Sequence, residues 1–261
     1  MMRADWIDSI PMWVLLTALC ALSGATMEGG YRFGAWRKSR CPSETEGPVG
    51  AMVASILGLF AFMLAFTFGM AAERHEKRRQ AVLSEANAIG TTYLRSQLIP
   101  ERQRNDSIRL LREYVDVRLQ GTSKEHHEWA VNRSEEIHRE LWALAVKATE
   151  SNTGMSCAMY IQSLNNLIDI HGARIQAGLA NRIPGVIWLV LLLLSLFSML
   201  AVGYQAGITA ASRSPAMALL VLAFGIVIFL IGDLNRPQEG FIIVSQKPLI
   251  SLRESMNAGN R

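Results

Sequence analysis

The sequence has few cysteines and none of the short motifs that mark the common soluble enzymes. Its 261 residues include three cysteines, Cys20, Cys41 and Cys157, which lie far apart and form no CxxC pair. Neither a disulfide framework nor a zinc knuckle is indicated, and we interpret the cysteines as small apolar residues. The GxGxxG, P-loop, GxSxG and HExxH patterns are also absent. The usual sequence signals for nucleotide binding, ester hydrolysis and metalloproteolysis are therefore missing, and we expect neither an enzyme nor a bound cofactor.

Charge is scarce as well. Charged residues make up 18% of the chain and the net charge is +4, with no basic tract long enough to indicate nucleic acid. What the sequence does have is apolar residues, which account for half of the chain and are concentrated in long runs. This distribution is typical of a membrane protein.

Four apolar windows predict transmembrane helices: Ile10–Met27, Val49–Ala72, Ile183–Ala211 and Ser214–Gly232. The second and third contain no charged residue and exceed the ~20 residues that a helix needs to cross ~30 Å of hydrocarbon. The first has an alternative, a cleaved signal peptide, because small residues follow its apolar core. Arg3 is offset there by Asp5 and Asp8, however, so the positive end of a signal peptide is lacking.

The polar segment between the second and third windows predicts helices throughout. Nothing between Met70 and Ile89 breaks a helix, so the second span should continue to Leu98 as one helix of roughly 75 Å. Further helices are predicted from Pro100 to Gly121, from a capping box at residues 122–125, and after the breaker at residues 151–154. Each has one apolar face, so we expect these helices to pack as a membrane-proximal cytoplasmic layer.

These elements predict an all-α membrane protein with four transmembrane helices. The predicted regions are 1–72 with the first two spans and their loop, 73–182 with the cytoplasmic helices, 183–232 with the last two spans, and a cytoplasmic tail at 233–261. Basic residues are more frequent near the membrane ends on the side of the termini, which favours cytoplasmic termini. That side has Arg3, Arg74, Lys77, Arg78, Arg79, Arg174, Arg182, Arg236, Lys247 and Arg253, whereas the other has Arg32, Arg37, Lys38, Arg40 and Arg213, mostly in one short loop.

Three polar clusters are candidate sites, and we interpret each of them as structural. Glu135 and His138, with His127 nearby, resemble half of a di-iron motif but lack the second pair, so a solvated helix face is the favoured interpretation. The cluster at residues 125–128 lies in the first turn of a predicted helix and is interpreted in the same way. Asp169, His171 and Arg174 predict an intrahelical charged pair, with a subunit contact as the alternative.

Asp233, directly after the fourth span, is a candidate pore-mouth charge. The alternative is that it simply marks the membrane–water interface.

The second span carries two stripes of opposite character. Phe62 and Phe66 share one face with Gly58 and Met70, while Ala61, Ala65 and Gly69 form an adjacent stripe of small residues. Small residues let a neighbouring helix approach closely, so a ring of identical helices packed through them would turn the phenylalanines toward its axis. Alternatively, the phenylalanines face lipid and the small stripe packs within one subunit.

The sequence resembles the bestrophin family at this helix and at the tail. The motif Leu64-Ala-Phe66, with Arg74 eight residues after the Phe and a charged helix leading to Pro100, is similar to the bestrophin pattern Leu-Gly-Phe. The tail is similar in Gly232-Asp-Leu-Asn-Arg-Pro237, Gly240, Ser245 and Lys247-Pro-Leu-Ile-Ser-Leu252. Uncharacterised bacterial bestrophin-like proteins share the Leu-Ala-Phe-Thr-Phe segment and the run Glu85-Ala-Asn87-Ala-Ile-Gly90.

This resemblance implies a homopentameric ion channel in a bacterial inner membrane, with four spans per subunit and cytoplasmic termini. Its pore would have a narrow neck, formed by apolar side chains of the second span. Phe66 matches the family aromatic and Phe62 the apolar residue one turn earlier, while Gly58 falls where a third neck residue is expected. Leu59 or Met63 is then the candidate replacement, with Met70, Glu73 and Arg74 near the neck or at its mouth.

The small inorganic ions that such a channel would pass are of undetermined sign, because Glu73 and Arg74 carry opposite charges. The tail lacks an acidic cluster of the kind that binds calcium in animal members. A different class of function stays open, namely a non-conducting membrane scaffold or sensor whose cytoplasmic helices dock a partner. A helical-bundle enzyme has only the lone Glu135 and His138 pair in its favour.

Overall fold

The fold is described from a computed structural model, which covers residues 11–40, 46–123, 125–151, 154–179, 183–209, 211, 213–236 and 240–258. Several features discussed above lie outside these residues: Arg3, Cys41, Lys124 of the predicted capping box, residues 152 and 153 of the predicted breaker, Arg182 and Pro237.

The described residues form helices joined by short connections and contain no strand. The helices are α1 (Met12–Arg40), α2 (Glu46–Ser96), α3 (Glu101–Gln120), α4 (His127–Ser151), α5 (Met155–Leu179), α6 (Gly185–Ile208), α7 (Pro215–Asn235) and α8 (Lys247–Ala258). Helices α1, α2, α6 and α7 are long and apolar enough to cross a membrane. The prediction of an all-helical membrane protein with four spans is confirmed.

Helix α2 is a single helix of 51 residues, as the absence of a breaker predicted. The prediction for α3 is also confirmed at both ends, since Pro100 precedes the helix and Gly121 follows it. The capping box predicted for α4 is wrong. The hydroxyl of Thr122 donates a hydrogen bond to the Leu119 carbonyl at 2.8 Å, and the helix begins later, at His127.

The first span extends much further than its apolar window predicted. Helix α1 continues past Met27 to Arg40, so the basic residues that were assigned to a short loop lie in its last turns. Glu28, where the apolar run ends, forms ion pairs with Arg32 and Arg213. A charged residue with these partners at a membrane edge does not need to end a helix.

The chain divides into two compact units. The first contains the described residues up to Glu73, those from 183 to 236, and 240–242; the second contains those from 74 to 179 and from 243 onward. In the first unit, α2 packs on α6 and α7 through Phe60, Leu64 and Leu191. The ring of Phe60 lies 4.8 Å from that of Phe224.

Helices α1 and α6 approach each other through glycines that face glycines. A Cβ atom added at Gly30 or Gly34 would overlap the backbone of α6, and one added at Gly203 or Gly207 would overlap the backbone of α1. Both pairs have GxxxG spacing, which places two glycines on one face of a helix and allows close backbone contact in a membrane.

The second unit is a helical bundle with one apolar core. The second half of α2 packs there with α3, α4, α5 and α8, as the predicted layer of helices required. The core includes the fully buried residues Ile89, Leu111, Leu141, Leu164 and Leu249.

Candidate functional site

The phenylalanines of the second span lie on the surface of the chain. Phe62 is 66% exposed and Phe66 is 57% exposed, although the segment around them is among the most apolar in the sequence. Phe60 and Leu64, on the opposite face of α2, are buried against α6 and α7. Helix α2 therefore uses one face for packing within the chain and leaves the face with Phe62 and Phe66 uncovered.

The adjacent stripe of small residues is uncovered as well. Ala61, Ala65 and Gly69 are exposed, and a Cβ atom added at Gly69 would have no atom of the chain within 4 Å. One alternative from the sequence was that this stripe packs within a subunit. The structure shows that it does not, so the stripe is available to lipid or to another copy of the chain.

The other candidate neck residues divide between the two faces of α2. Gly58 is exposed, a Cβ atom added there would meet no neighbouring atom within 4 Å, and Leu59 beside it is 53% exposed. Met63 packs against the apolar core of the first unit, and Met70 is partly buried. Leu59, rather than Met63, therefore accompanies the phenylalanines on the open side of the helix.

The two candidate mouth charges also differ in position. Glu73 is exposed, on the same helical face as Phe62, Phe66 and Gly69, whereas Arg74 is partly buried. Arg78, one turn after Arg74, is buried; burial lowers its pKa, and the charge of Arg74 lowers it further. The open face of α2 therefore presents an acidic residue directly after its apolar part.

Asp233 is buried and holds the chain that follows α7. Its carboxylate accepts hydrogen bonds from the backbone N–H groups of Phe241 and Ile242, each at 2.9 Å. Gly240, at the start of this turn, has φ of +146°, a conformation that favours glycine. The carboxylate is buried and caps a turn.

A buried charge cluster lies inside the helical bundle of the second unit. Glu85 of α2 is fully buried, and its carboxylate pairs with Arg118 of α3 at 3.0 Å and with Arg174 of α5. The Tyr114 hydroxyl donates a hydrogen bond to Glu85 at 2.7 Å and lies 3.0 Å from Nδ1 of His171. Because the tyrosine proton goes to Glu85, Nδ1 of His171 is the donor to Tyr114.

The surroundings fix the charge states in this cluster. Burial raises the pKa of Glu85, but His171, the two arginines and Tyr114 more than offset burial and hold that pKa well below its usual value. His171 lowers the pKa of Glu85 without a direct hydrogen bond, because its Nδ1 is 3.6 Å from the carboxylate, beyond hydrogen-bonding distance. Burial, with the neighbouring carboxylate, raises the pKa of Tyr114 well above its ordinary value. The cluster thus contains an ionised Glu85 and a neutral Tyr114.

His138 of α4 completes this cluster. Its ring lies 4.9 Å from that of Tyr114 and 4.8 Å from that of His171. Burial, together with the nearby His171, lowers the pKa of His138 to about 3, so the ring is neutral at physiological pH. No group of three metal-binding side chains occurs among the described residues.

Two interpretations from the sequence are therefore wrong. A solvated helix face describes the exposed Glu135 but not His138, which is buried. The intrahelical pair expected from Asp169, His171 and Arg174 does not form, because His171 and Arg174 contact Glu85 on α2. These side chains stabilise the contact of α5 with α2.

A comparison with protein families identifies the chain. The model of the bestrophin-like domain matches residues 15–249, which is most of the sequence. The chain belongs to the bestrophin-like family.

Solved structures with this fold cover nearly the whole chain. A variant of a bacterial bestrophin homologue from Klebsiella pneumoniae is similar with a TM-score of 0.62 and 11% identity, over 95% of this chain and 96% of that one. Two variant structures described only as a membrane protein are similar, each at 12% identity and over 96% of their own chains. Their TM-scores are 0.61 and 0.58, over 95% and 94% of this chain. A search of curated proteins found no match.

Sequence reasoning missed the role of one residue in this bestrophin-like chain, Glu85. In the sequence Glu85 belongs to a family-like run, and a separate signal of its burial is also present. Val82, Ala86 and Ile89 predict the buried stripe of this part of α2, and Glu85 lies within that stripe. A carboxylate in a buried stripe requires cationic partners from other elements.

Proposed function

We propose that this chain forms an ion channel in which the α2 helices of several identical subunits surround the pore. The observation that carries the proposal is the uncovered face of α2, where Phe62 and Phe66 project from an apolar span beside an equally uncovered stripe of small residues. Nothing in the described part of a single chain covers either stripe. A ring of copies would pack the small stripe against the next subunit and turn the phenylalanines toward the axis.

The two stripes have complementary roles in such a ring. The small stripe of Ala61, Ala65 and Gly69 lets the helix of the next subunit approach closely. The phenylalanines then form two successive apolar rings, and a constriction of this kind conducts when it is wetted and closes when it loses water. Because Gly58 contributes no side chain, the ring expected there is missing, and exposed Leu59 is its nearest replacement.

Family membership supports the same proposal. The bestrophin resemblance implies five subunits, and one of the structures with this fold is a bacterial bestrophin homologue. We therefore propose a homopentamer in the inner membrane of a bacterium. The excess of basic residues on the side of the termini supports cytoplasmic termini and a cytoplasmic helical bundle.

Ionic flux into liposomes that contain the purified protein tests this function. We expect wild type to conduct, and Phe62→Ala with Phe66→Ala to raise the flux several-fold, because a wider and less apolar neck is wetted more easily. Phe68→Ala is the matched control. It removes an exposed aromatic ring from the same helix but on another face, and its flux should equal that of wild type.

Two results would contradict the channel. A stable monomer in detergent would leave no axis for a pore, so the oligomer mass is the first measurement. If wild type carries no flux and the double variant behaves identically, the non-conducting scaffold or sensor becomes the better description.

A further inference from the structure

A cleft of about 480 Å³ lies between α1 and α7, apart from the face of α2 described above. Most of its walls are apolar and include Cys20, Met27, Met217, Val221 and Leu222. Gly24, which has no side chain, leaves a gap in the wall formed by α1. The volume falls within the ~300–1,000 Å³ typical of small-molecule sites. Both walls belong to helices that qualify as membrane spans, so the cleft opens where lipid would be.

One end of the cleft is charged. There Glu28 and Arg213 line the cleft and pair at 2.9 Å, and Arg32, one turn further along α1, pairs with Glu28 at 2.8 Å. The guanidinium of Arg213 also lies 4.8 Å from the centre of the Tyr31 ring. Two arginines share a single carboxylate, so this end has a net positive charge. Both arginine side chains are mostly exposed, which leaves them able to contact a further anion.

The depth of the cleft fits one leaflet of a bilayer. Arg213 lies in the connection between α6 and α7, which places the charged end at the membrane boundary. From Glu28 to Cys20 the cleft follows α1 for eight residues, or ~12 Å at 1.5 Å per residue. Half of a hydrocarbon core is ~15 Å. The apolar walls therefore extend from the boundary to near the middle of the membrane.

From this arrangement we infer that the cleft binds an anionic phospholipid, with one acyl chain between α1 and α7 and the phosphate group beside Arg213 and Arg32. The apolar depth matches an acyl chain, and the net positive end matches an anionic headgroup better than a zwitterionic one, which brings its own cation. The site does not depend on whether the protein conducts.

Native mass spectrometry of the purified oligomer with added lipid tests the site. The probes are phosphatidylglycerol, which is anionic, and phosphatidylcholine, which is zwitterionic. We expect wild type to retain phosphatidylglycerol in preference to phosphatidylcholine. Gly24→Leu fills the cleft and should weaken phosphatidylglycerol binding by about tenfold, the loss expected when about two methylene groups leave an apolar site.

Gly29→Leu is the matched control, because Gly29 is on the same helix, also has open space around it, and does not line the cleft. Its lipid binding should equal that of wild type. Circular dichroism and oligomer mass establish that both variants are folded. Equal lipid binding by Gly24→Leu and Gly29→Leu would overturn the inference. So would a change in oligomer mass for Gly24→Leu with unchanged lipid binding, since a second copy of the chain would then cover the cleft.

A second pair of variants tests the headgroup contact. Arg213→Gln with Arg32→Gln should abolish the preference for phosphatidylglycerol while phosphatidylcholine still binds. Arg40→Gln removes a cation from the same end of α1 and should keep the preference, because Arg40 lies about three turns beyond Glu28, whereas Arg32 pairs with Glu28 in the wall of the cleft. A preference that survives loss of both arginines would show that the charged end does not select the lipid, and would overturn that part of the inference.

Discussion

Glu85 shows how strongly a single side chain can constrain the helical bundle. Its carboxylate is fully buried between Arg118 and Arg174, which come from two different helices. Two ions of like charge are stable there only because the carboxylate lies between them. Removing that carboxylate leaves the buried Arg118 and the largely buried Arg174 without their counter-ion.

We therefore expect Glu85→Gln to lower the free energy of unfolding of this unit by about 3–5 kcal/mol, the usual consequence of breaking a buried ion pair from one side. Glu76→Gln is the control on the same helix, because Glu76 forms an exposed pair with Arg79 that should contribute less than about 1 kcal/mol. Chemical denaturation followed by circular dichroism compares the two. Equal midpoints would show that the Glu85 cluster adds no stability.

His138 makes the stability of the bundle depend on pH. Its pKa is about 3 in the folded protein, against 6.5 for an unperturbed histidine, so the unfolded chain binds the extra proton between these values. The stabilisation is present above pH 6.5 and is lost as the pH falls toward 3, by up to about 1.4 kcal/mol per pH unit. The depressed pKa of Glu85 acts in the same direction below about pH 4.5.

Unfolding midpoints measured between pH 7 and pH 5 test this expectation. The midpoint of wild type should fall with pH, and that of His138→Gln should fall less, because the variant lacks the titrating ring. Parallel curves for the two proteins would assign the pH dependence to other groups.

If α2 lines the pore as proposed, we expect Glu73 to influence the sign of the permeating ion. It is exposed on the face that carries the phenylalanines, and Lys77 is exposed one turn further on. We expect Glu73→Gln to lower the permeability of cations relative to anions, and Lys77→Gln to raise it. Reversal potentials in planar bilayers under a salt gradient give the ratio, and identical values for both variants would place these charges away from the ion path.

At the level of helices, the tightest contact is the one between α1 and α6. A Cβ at Gly203 would overlap the Met27 carbonyl, so Gly203→Ala forces two spans apart. We expect this substitution to lower the free energy of unfolding by about 1–3 kcal/mol, as at other overpacked sites. Gly29→Ala adds the same methyl group where no atom lies within 4 Å, and its thermal midpoint in detergent should match wild type. A midpoint for Gly203→Ala equal to that of Gly29→Ala would refute the close contact.

Periodicity and breakers in the sequence were enough to predict most helices. Pro100 and Gly121 predict the two ends of α3, and the run without a breaker predicts α2 as one helix. These signals are sufficient because they act locally on the backbone. The length of α1 was not predictable in this way. Its last turns depend on the ion pair between Glu28 and Arg213, which is distant in sequence. They also depend on glycines of α1 that pack against another helix.

The candidate site was predicted in part, for a similar reason. The phenylalanine stripe follows from spacing within one helix, so its residues could be listed from the sequence. The burial of His138 and the convergence of His171 and Arg174 on Glu85 arise from tertiary packing of four helices. Single helices give no indication of which polar residue will turn inward, except where a charge interrupts an apolar stripe, as Glu85 does.

At the scale of the whole molecule, an even number of spans leads us to expect both ends of the chain on one side of the membrane. The charge distribution predicts that side to be the cytoplasm. In a chain with its cysteines replaced, a membrane-impermeant thiol reagent should label Ser39→Cys in intact cells and Ala258→Cys only after permeabilisation. Both positions are exposed ends of described helices. Labelling of Ala258→Cys in intact cells would reverse the proposed orientation.

The glycine contact between α1 and α6 also limits how the first unit can move. Backbones that touch directly have no flexible side chains between them to absorb a shift, so neither helix can slide or tilt against its partner without losing the contact. The two helices should behave as one rigid body. If the chain forms the proposed channel, we expect gating displacements within the first unit to involve α2 and α7, and a probe that follows distances between α1 and α6 should record no change between closed and open states.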